Sequence, residues 1–266
     1  MTGQSTETVP GTRIHTRVAG LAPNAPTALL LHGIGGSSAS FEAQFPAFGE
    51  VRRVIAWDAP GYGASADPDA APGMAGYAAA AASLLQNGGP ADIVGVSWGG
   101  VIATRLALAY PELVRTLVLA DSTRGSGRTR EGRAGMARRA EALTAQGPEA
   151  FAAQRGPNLV SEHASPALVG RIVANMAGSL RQPGYRYATA SMAETDHSQA
   201  LAGLLAPTLV LVGEFDAVTG VAESRSLAHA VPGARSRLIA EAGHCANQER
   251  PAEFNRAVLE FWESAC

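Results

Sequence analysis

The stretch IVGVSWGGVI, residues 93–102, decides the fold of this chain. Its first residues are apolar and largely β-branched, which suits a strand that is buried on both faces. Glycines then surround Ser97, and small residues are what a sharp turn from a strand into a helix requires. Residues 101–110 have helical periodicity, and Pro111 follows them. The sequence therefore predicts a serine held at the tip of a strand and at the start of a helix.

The Gly-x-Ser-x-Gly pattern alone is weak evidence for a catalytic serine. The chain has 30 glycines among 266 residues, so a chance match is not rare. The alternative is a glycine-rich turn that holds an incidental serine. A choice between the two requires a base, an acid and an oxyanion site at the ends of other strands.

Length and composition indicate one large globular α/β domain. Hydrophobic residues make up 46% of the 266 residues and charged residues 17%, which excludes a disordered chain. The net charge of −2 favours neither nucleic acid nor an anionic membrane as a partner. All basic residues are arginines, which excludes lysine-based covalent catalysis. The two cysteines, Cys245 and Cys266, are too few for a disulfide framework or a cysteine-based metal site.

The N-terminal segment lacks the apolar core of a secretion signal, and no apolar run reaches membrane-spanning length. We therefore expect a cytoplasmic protein that acts on a small molecule. The sequence leaves the oligomeric state open, and a homodimer is possible.

Predicted strands and helices alternate along most of the chain. Strands are predicted at 12–18, 26–31, 53–57, 93–96, 117–120, 207–212 and 236–239, the first in a hairpin that turns near Pro10 and Gly11. Helices are predicted at 41–48, 76–85, 101–110, 131–146, 166–180, 183–195, 221–230 and 251–262. This alternation predicts a mostly parallel sheet whose ligands bind outside the carboxyl ends of the strands.

Residues 122–204 interrupt the alternation, because they contain helical stripes and no strand-like run. We predict a helical cap over 122–204, inserted into a core domain formed by 1–121 and 205–266. Simple packing of these helices onto the main domain is the alternative.

Four predicted strand ends carry residues suited to acyl transfer. In chain order they are the Gly33-Ile34-Gly35 loop, Ser97, Asp216 and His244. A serine hydroxyl needs a histidine to take its proton, and the histidine needs a carboxylate to orient it. The oxyanion needs N–H donors, and we expect the backbone N–H groups of Ile34 and Trp98 to provide them. Asp121 also ends a strand and is the competing acid, whereas His32 and Asp58 are expected to hold loops.

With these residues the chain resembles the α/β-hydrolase superfamily over nearly its whole length. The matching motifs are His32-Gly33-Ile34-Gly35-Gly36, Asp58-x-x-Gly61-x-Gly63, Gly95-x-Ser97-x-Gly99-Gly100, Gly213-x-x-Asp216 and Gly243-His244. The resemblance implies an eight-stranded, mostly parallel sheet with a helical cap after the sixth strand. It also implies Ser97 as nucleophile, Asp216 as acid and His244 as base, with neither metal nor cofactor.

Within the superfamily the chain looks like small carboxylic ester hydrolases and lactonases, especially the enol-lactonase-like group. One alternative is a carbon–carbon bond hydrolase of ring-cleavage products, but such enzymes often have Trp directly after the histidine, where this chain has Cys245. Another resemblance is to perhydrolases. A non-enzymatic member of the fold is disfavoured, since such members usually lose part of the triad.

The substrate pocket is expected to lie between the strand ends and the cap. Its predicted residues are Gly33, Gly35, Met136, Leu143, Met176 and Tyr185. Arg124 or Arg128, which follow Asp121 closely, are predicted to bind a substrate carboxylate. The alternative for both arginines is a solvated loop charge.

Overall fold

The computed structural model describes residues 5–8, 12–22, 24–85 and 89–265. Its strands are β1 (Ser5–Thr8), β2 (His15–Gly20), β3 (Thr27–Leu31), β4 (Arg53–Trp57), β5 (Ala91–Val96), β6 (Val114–Ala120), β7 (Thr208–Gly213) and β8 (Arg235–Ile239). Its α-helices are α1 (Phe45–Gly49), α2 (Gly73–Ser83), α3 (Trp98–Ala109), α4 (Arg130–Arg155), α5 (Pro166–Ser179), α6 (Gly184–Glu194), α7 (Val221–Ala230), α8 (Ala246–Glu249) and α9 (Pro251–Ser264).

All eight strands of the described chain form one sheet in the order β1-β2-β4-β3-β5-β6-β7-β8. The pairs β1–β2 and β2–β4 are antiparallel, and every later pair is parallel. The predicted mostly parallel, eight-stranded α/β sheet is confirmed. Because β3 and β5 to β8 run parallel, their carboxyl ends meet at one edge of the sheet.

Helices cover both faces of the sheet, which explains why its central strands are apolar throughout. In β3, Leu29 and Leu31 belong to one apolar cluster, whereas Ala28 and Leu30 belong to the other. The first cluster includes side chains of α2 and α3, and the second includes side chains of α1 and α9. Because successive side chains of a strand point to opposite faces of the sheet, one apolar run contributes side chains to both apolar clusters.

The helices α4, α5 and α6 lie between β6 and β7 in the chain and pack against one another. Their buried side chains, such as Ile172 and Met192, belong to the same apolar cluster as Trp98 and Ile102. The division into a core (1–121 and 205–266) and a cap (122–204) stays a prediction. The three helices α4, α5 and α6 lie within the residues predicted to form the cap.

Two helices differ from the prediction because of proline. The helix predicted at 131–146 continues as α4 to Arg155, with a break at Gly147, where φ is 77° and ψ is 165°. Pro148 cannot continue the preceding turn but suits the first turn of a new segment. The helix predicted at 41–48 is instead a 3₁₀ turn (Ser38–Phe41) followed by α1, which has Pro46 in its first turn.

Other boundaries moved by a few residues. β2 begins at His15 and not at Thr12, and β6 begins at Val114. The predicted turn at Pro10 and Gly11 lies outside the described residues. In the part of the chain that the structure describes, no helix is both long and apolar enough to cross a membrane.

Candidate active site

Ser97 lies in the turn between β5 and α3 and has a strained backbone, with φ of 55° and ψ of −116°. The neighbouring glycines are required because other backbone segments pass very close. A Cβ atom on Gly99 would lie 1.9 Å from the carbonyl oxygen of Leu31, and one on Gly95 would lie 2.3 Å from the oxygen of Gly99. The turn therefore presents the Ser97 hydroxyl at the carboxyl edge of the sheet, beside the N-terminus of α3.

The structure brings together the three side chains that the sequence assigned to a triad. The Oγ of Ser97 lies 2.9 Å from Nε2 of His244. The Nδ1 of His244 lies 3.1 Å from each carboxylate oxygen of Asp216. His244 follows β8 and Asp216 follows β7, so parallel strands deliver both residues to the edge where Ser97 stands.

Asp216 is buried, and the turn that carries it supplies several donors. Its Oδ1 accepts hydrogen bonds from the N–H groups of Val218 and Thr219, and its Oδ2 accepts one from the Thr219 hydroxyl. Burial alone would raise the pKa of Asp216, but the contact with His244 and the donors of Thr219 outweigh it and lower this pKa to about 2. The carboxylate is therefore ionised at neutral pH and can stabilise a protonated histidine.

The competing acid, Asp121, accepts hydrogen bonds from backbone N–H groups of two loops. Its Oδ1 accepts the N–H of Gly213 at 2.8 Å, and its Oδ2 accepts the N–H of Ala246 at 3.2 Å. Burial and the nearby charge of Asp216 raise the pKa of Asp121 well above its ordinary value. Asp121 thus ties together the loops that carry Asp216 and His244, and among the described residues it makes no hydrogen bond to the His244 ring.

The predicted oxyanion donors flank Ser97. The loop after β3 packs on the serine so closely that a Cβ on Gly33 would lie 3.1 Å from the Ser97 Cβ. Ile34 and Trp98 line the same cleft as Ser97. The Trp98 indole is fully buried and donates a hydrogen bond of 3.1 Å to the Ser191 hydroxyl of α6, so the ring links the turn to the helices above it.

His32 and Asp58 hold loops, as their positions in the sequence indicate. The Nε2 of His32 accepts the N–H of Ala59 at 3.0 Å, which leaves Nδ1 to donate to the carbonyl of Gly33. Burial lowers the pKa of His32, which favours this neutral form. Asp58 accepts the N–H groups of Ser38 and Ala64, so it fixes the segments on either side of the site.

A cleft with about 720 Å³ of empty space, part of it open to solvent, lies above Ser97 and His244. Of the predicted pocket residues, Gly33, Gly35 and Met176 line it. Met136 lines a second cavity, which also reaches Ser97. The first cleft is further lined by apolar side chains of the helices above it, namely Leu159, Ile172 and Met192.

Leu143 and Tyr185 were predicted to line the pocket, and the structure places both elsewhere. Neither residue lines the two cavities beside Ser97. Leu143 is 4% exposed and Tyr185 is 1% exposed. The Tyr185 ring packs edge-on against Phe151 with 5.4 Å between centroids, because the same apolar stripe that suits a pocket also serves the packing of helix on helix.

Arg124 also departs from the prediction, since it lines neither cavity beside Ser97 and is bound by a carboxylate of this chain. Its Nε and Nη2 donate to the two oxygens of Glu223 at 3.0 and 2.7 Å, and Arg128 donates to the same carboxylate at 2.9 Å. Burial would raise the pKa of Glu223, but these contacts lower it to about 2. Arg128 does line the second cavity, with its charge already paired.

Two other arginines, Arg139 and Arg155, line the cleft that holds Ser97 and His244. Nothing in the amino-acid sequence distinguishes these two arginines, because residues 122–204 are rich in arginine and only the packing of α4 decides which guanidinium groups face inward. Burial raises the pKa of Cys245, the neighbour of His244, so its thiol stays protonated. Within the described ranges, no group of three or more His, Cys, Asp or Glu side chains is arranged to hold a metal ion.

A model of the Alpha/beta hydrolase family matches residues 28–257, and the chain belongs to this family. It is 26% identical to 3-oxoadipate enol-lactonase 2 of Acinetobacter baylyi over 237 residues, which cover 88% of this chain and 87% of that protein. A solved hydrolase of Pseudomonas aeruginosa is 30% identical, with a TM-score of 0.87 and 98% of each chain covered. A thermophilic esterase of Thermogutta terrifontis is 26% identical, with a TM-score of 0.82, covering 100% of this chain and 99% of that one.

Proposed function

We propose that this protein hydrolyses small carboxylic esters or lactones through an acyl-enzyme on Ser97. The observation that carries the proposal is the continuous chain of contacts from Ser97 Oγ to His244 Nε2 at 2.9 Å, and from His244 Nδ1 to Asp216 at 3.1 Å. The esterase and the enol-lactonase among its relatives support this class of substrate.

In the first half-reaction, Ser97 Oγ attacks the ester carbonyl while His244 Nε2 takes its proton. Asp216 orients the imidazole and stabilises its positive charge. The backbone N–H groups of Ile34 and Trp98 stabilise the oxyanion of the tetrahedral intermediate. The intermediate collapses when His244 gives the proton to the departing alkoxide, which leaves the acyl group on Ser97.

In the second half-reaction, water attacks the acyl-enzyme and His244 takes a proton from it. The tetrahedral intermediate then expels Ser97, which recovers its proton from the imidazole. The product is a free carboxylic acid. For a lactone the leaving alkoxide is part of the same molecule, so the product is a hydroxy acid or, from an enol lactone, an oxo acid.

The test is covalent labelling with a fluorophosphonate, followed by peptide mass spectrometry. We expect the label on Ser97, no label on Ser97→Ala, and full labelling of Ser226→Ala, a control that removes an exposed serine of α7. Ester and lactone turnover should fall by roughly 10⁶-fold in Ser97→Ala. Wild-type protein that is folded but neither labelled nor active on any ester, lactone or ring-cleavage dienone would falsify the proposal.

A further inference from the structure

Two guanidinium groups face the cleft above Ser97, and no carboxylate among the described residues pairs with them. Arg139 and Arg155 of α4 both line this cleft and are partly buried. Across the described ranges of the chain, neither guanidinium forms an ion pair with a carboxylate. The hydrogen bond of Arg139 goes to the Met136 sulfur at 3.9 Å, which is a weak acceptor.

The break in α4 brings these two side chains to the same cleft. In a straight helix, residues 16 positions apart would be separated by roughly 24 Å along the axis. At Gly147 the chain leaves the helical conformation and then starts a second segment that ends at Arg155. Burial, together with the nearby charge of Arg155, lowers the pKa of Arg139 to about 10, so the two guanidinium groups lie within electrostatic reach of each other. Arg139 still carries a positive charge at neutral pH.

Three other arginines of residues 122–204 that lie near the cleft or its rim have carboxylate partners. Glu223 binds Arg124 and Arg128, and Asp67 binds Arg181 at 2.8 Å. Two like charges that share a partly buried site without a counter-ion are unfavourable, and a bound anion relieves this cost. Arg124, Arg128 and Arg181 thus have partners within the chain, whereas the charges of Arg139 and Arg155 inside the cleft are available to a ligand.

We propose that Arg139 and Arg155 form a carboxylate subsite, so that the substrate of Ser97 is an acidic ester or lactone. The proposal rests on the hydrolase function above and adds its substrate class. The planar guanidinium group binds a carboxylate with two parallel hydrogen bonds. The apolar side chains of Leu159, Ile172 and Met176, which also line the cleft, suit a hydrocarbon chain that joins the carboxylate to the scissile ester.

The kinetic test compares acidic esters with neutral esters of the same length. Monomethyl esters of dicarboxylic acids, from succinate to suberate, are paired with methyl esters of the matching monocarboxylic acids. A second series carries the carboxylate on the alcohol part, as acetate esters of ω-hydroxy acids paired with simple alkyl acetates. In at least one series we expect kcat/KM to favour the acidic ester by about 10- to 100-fold at low ionic strength.

Variants then assign the preference to the two arginines. Arg139→Met and Arg155→Met keep an apolar stem and should abolish the preference while neutral esters are still hydrolysed. Arg138→Met is the matched control, since Arg138 is an exposed neighbour on α4 that pairs with Glu131 and should keep the wild-type preference. Active protein with no preference for acidic esters in either series overturns the subsite and leaves the hydrolase function intact.

A binding experiment tests the subsite without turnover. By calorimetry on Ser97→Ala protein, monomethyl glutarate should bind more tightly than methyl pentanoate, which lacks the carboxylate, and Arg139→Met or Arg155→Met in that background should remove the difference. This result would support the subsite even if the hydrolase function failed. Equal binding of monomethyl glutarate and methyl pentanoate, or binding of inorganic phosphate in place of monomethyl glutarate, overturns the assignment to a carboxylate.

Discussion

Two buried carboxylates end neighbouring strands, and their hydrogen-bond partners separate their roles. Asp216 receives hydrogen bonds from its own turn and from the His244 ring, which keep it ionised. Asp121 receives two backbone N–H groups and no imidazole among the described residues. The charge that can stabilise a protonated His244 is therefore that of Asp216, while Asp121 holds the surrounding loops in position.

We expect Asp216→Asn to lower kcat by roughly 10⁴-fold, because the amide no longer stabilises the protonated imidazole. Asp121→Asn should lower kcat by less than about tenfold but reduce Tm, since one amide nitrogen then faces a backbone N–H. Steady-state kinetics and thermal unfolding of both variants check this. Equal losses of kcat in the two variants, at wild-type Tm, would contradict the assignment.

At the scale of elements, the turn from β5 into α3 has the narrowest steric tolerance. Gly99 lies against the end of β3, where the Leu31 carbonyl leaves no room for a side chain. This close approach lets the Gly33-Ile34-Gly35 loop pack on Ser97, and the loop carries Ile34, whose N–H is a proposed oxyanion donor. Glycine is thus required at position 99 by the neighbouring strand.

We expect Gly99→Ala to destabilise the protein by more than about 3 kcal/mol, or to prevent folding, because its Cβ would lie 1.9 Å from a backbone oxygen that cannot move alone. Gly170→Ala is the control, since Gly170 is an exposed position of α5 with no atom within 4 Å of an added Cβ. That variant should gain up to about 1 kcal/mol through helix propensity. Urea unfolding of the two variants gives the comparison, and similar free energies of unfolding would count against the steric account.

At the scale of the whole molecule, one apolar cluster joins the helices α4, α5 and α6 to the sheet. Met136, Ile172 and Met192 share this cluster with Trp98 and Ile102. Polar contacts add to it, since Ser179 of α5 donates to the Gly35 carbonyl and Trp98 donates to Ser191 of α6. Helices that depend on the sheet for their burial are not expected to fold independently of it.

We therefore expect a single cooperative unfolding transition. Trp98 contacts Ser191 of α6, so fluorescence is measured on Trp98→Phe protein, in which Trp57 and Trp262 report on the core outside residues 122–204. Far-UV circular dichroism also reports on α4, α5 and α6. The two signals should give the same urea midpoint. Helical signal that is lost at lower urea than the fluorescence change would indicate an independently unfolding cap.

The features that the sequence predicts correctly are those that depend on neighbouring residues in the chain. Glycine spacing around Ser97 and the apolar runs of the strands are local signals, and they lead to the correct order of strands and helices. They also place Ser97, Asp216 and His244 after parallel strands, which end at one edge of the sheet. The largest difference in an element is the extension of α4 beyond Gly147, which is not predicted because a Gly-Pro pair ends a helix as readily as it breaks one.

The tertiary structure alone decides which side chains enter the cleft. Arg124 was predicted there, but Glu223, a residue 99 positions further along the chain, binds it. Tyr185 packs against Phe151 and Leu143 is buried outside both cavities, whereas Arg139 and Arg155 line the cleft. The physical reason is that a strand end is a local feature, whereas the direction of a helical side chain depends on how its helix packs and on which distant charges compete for it.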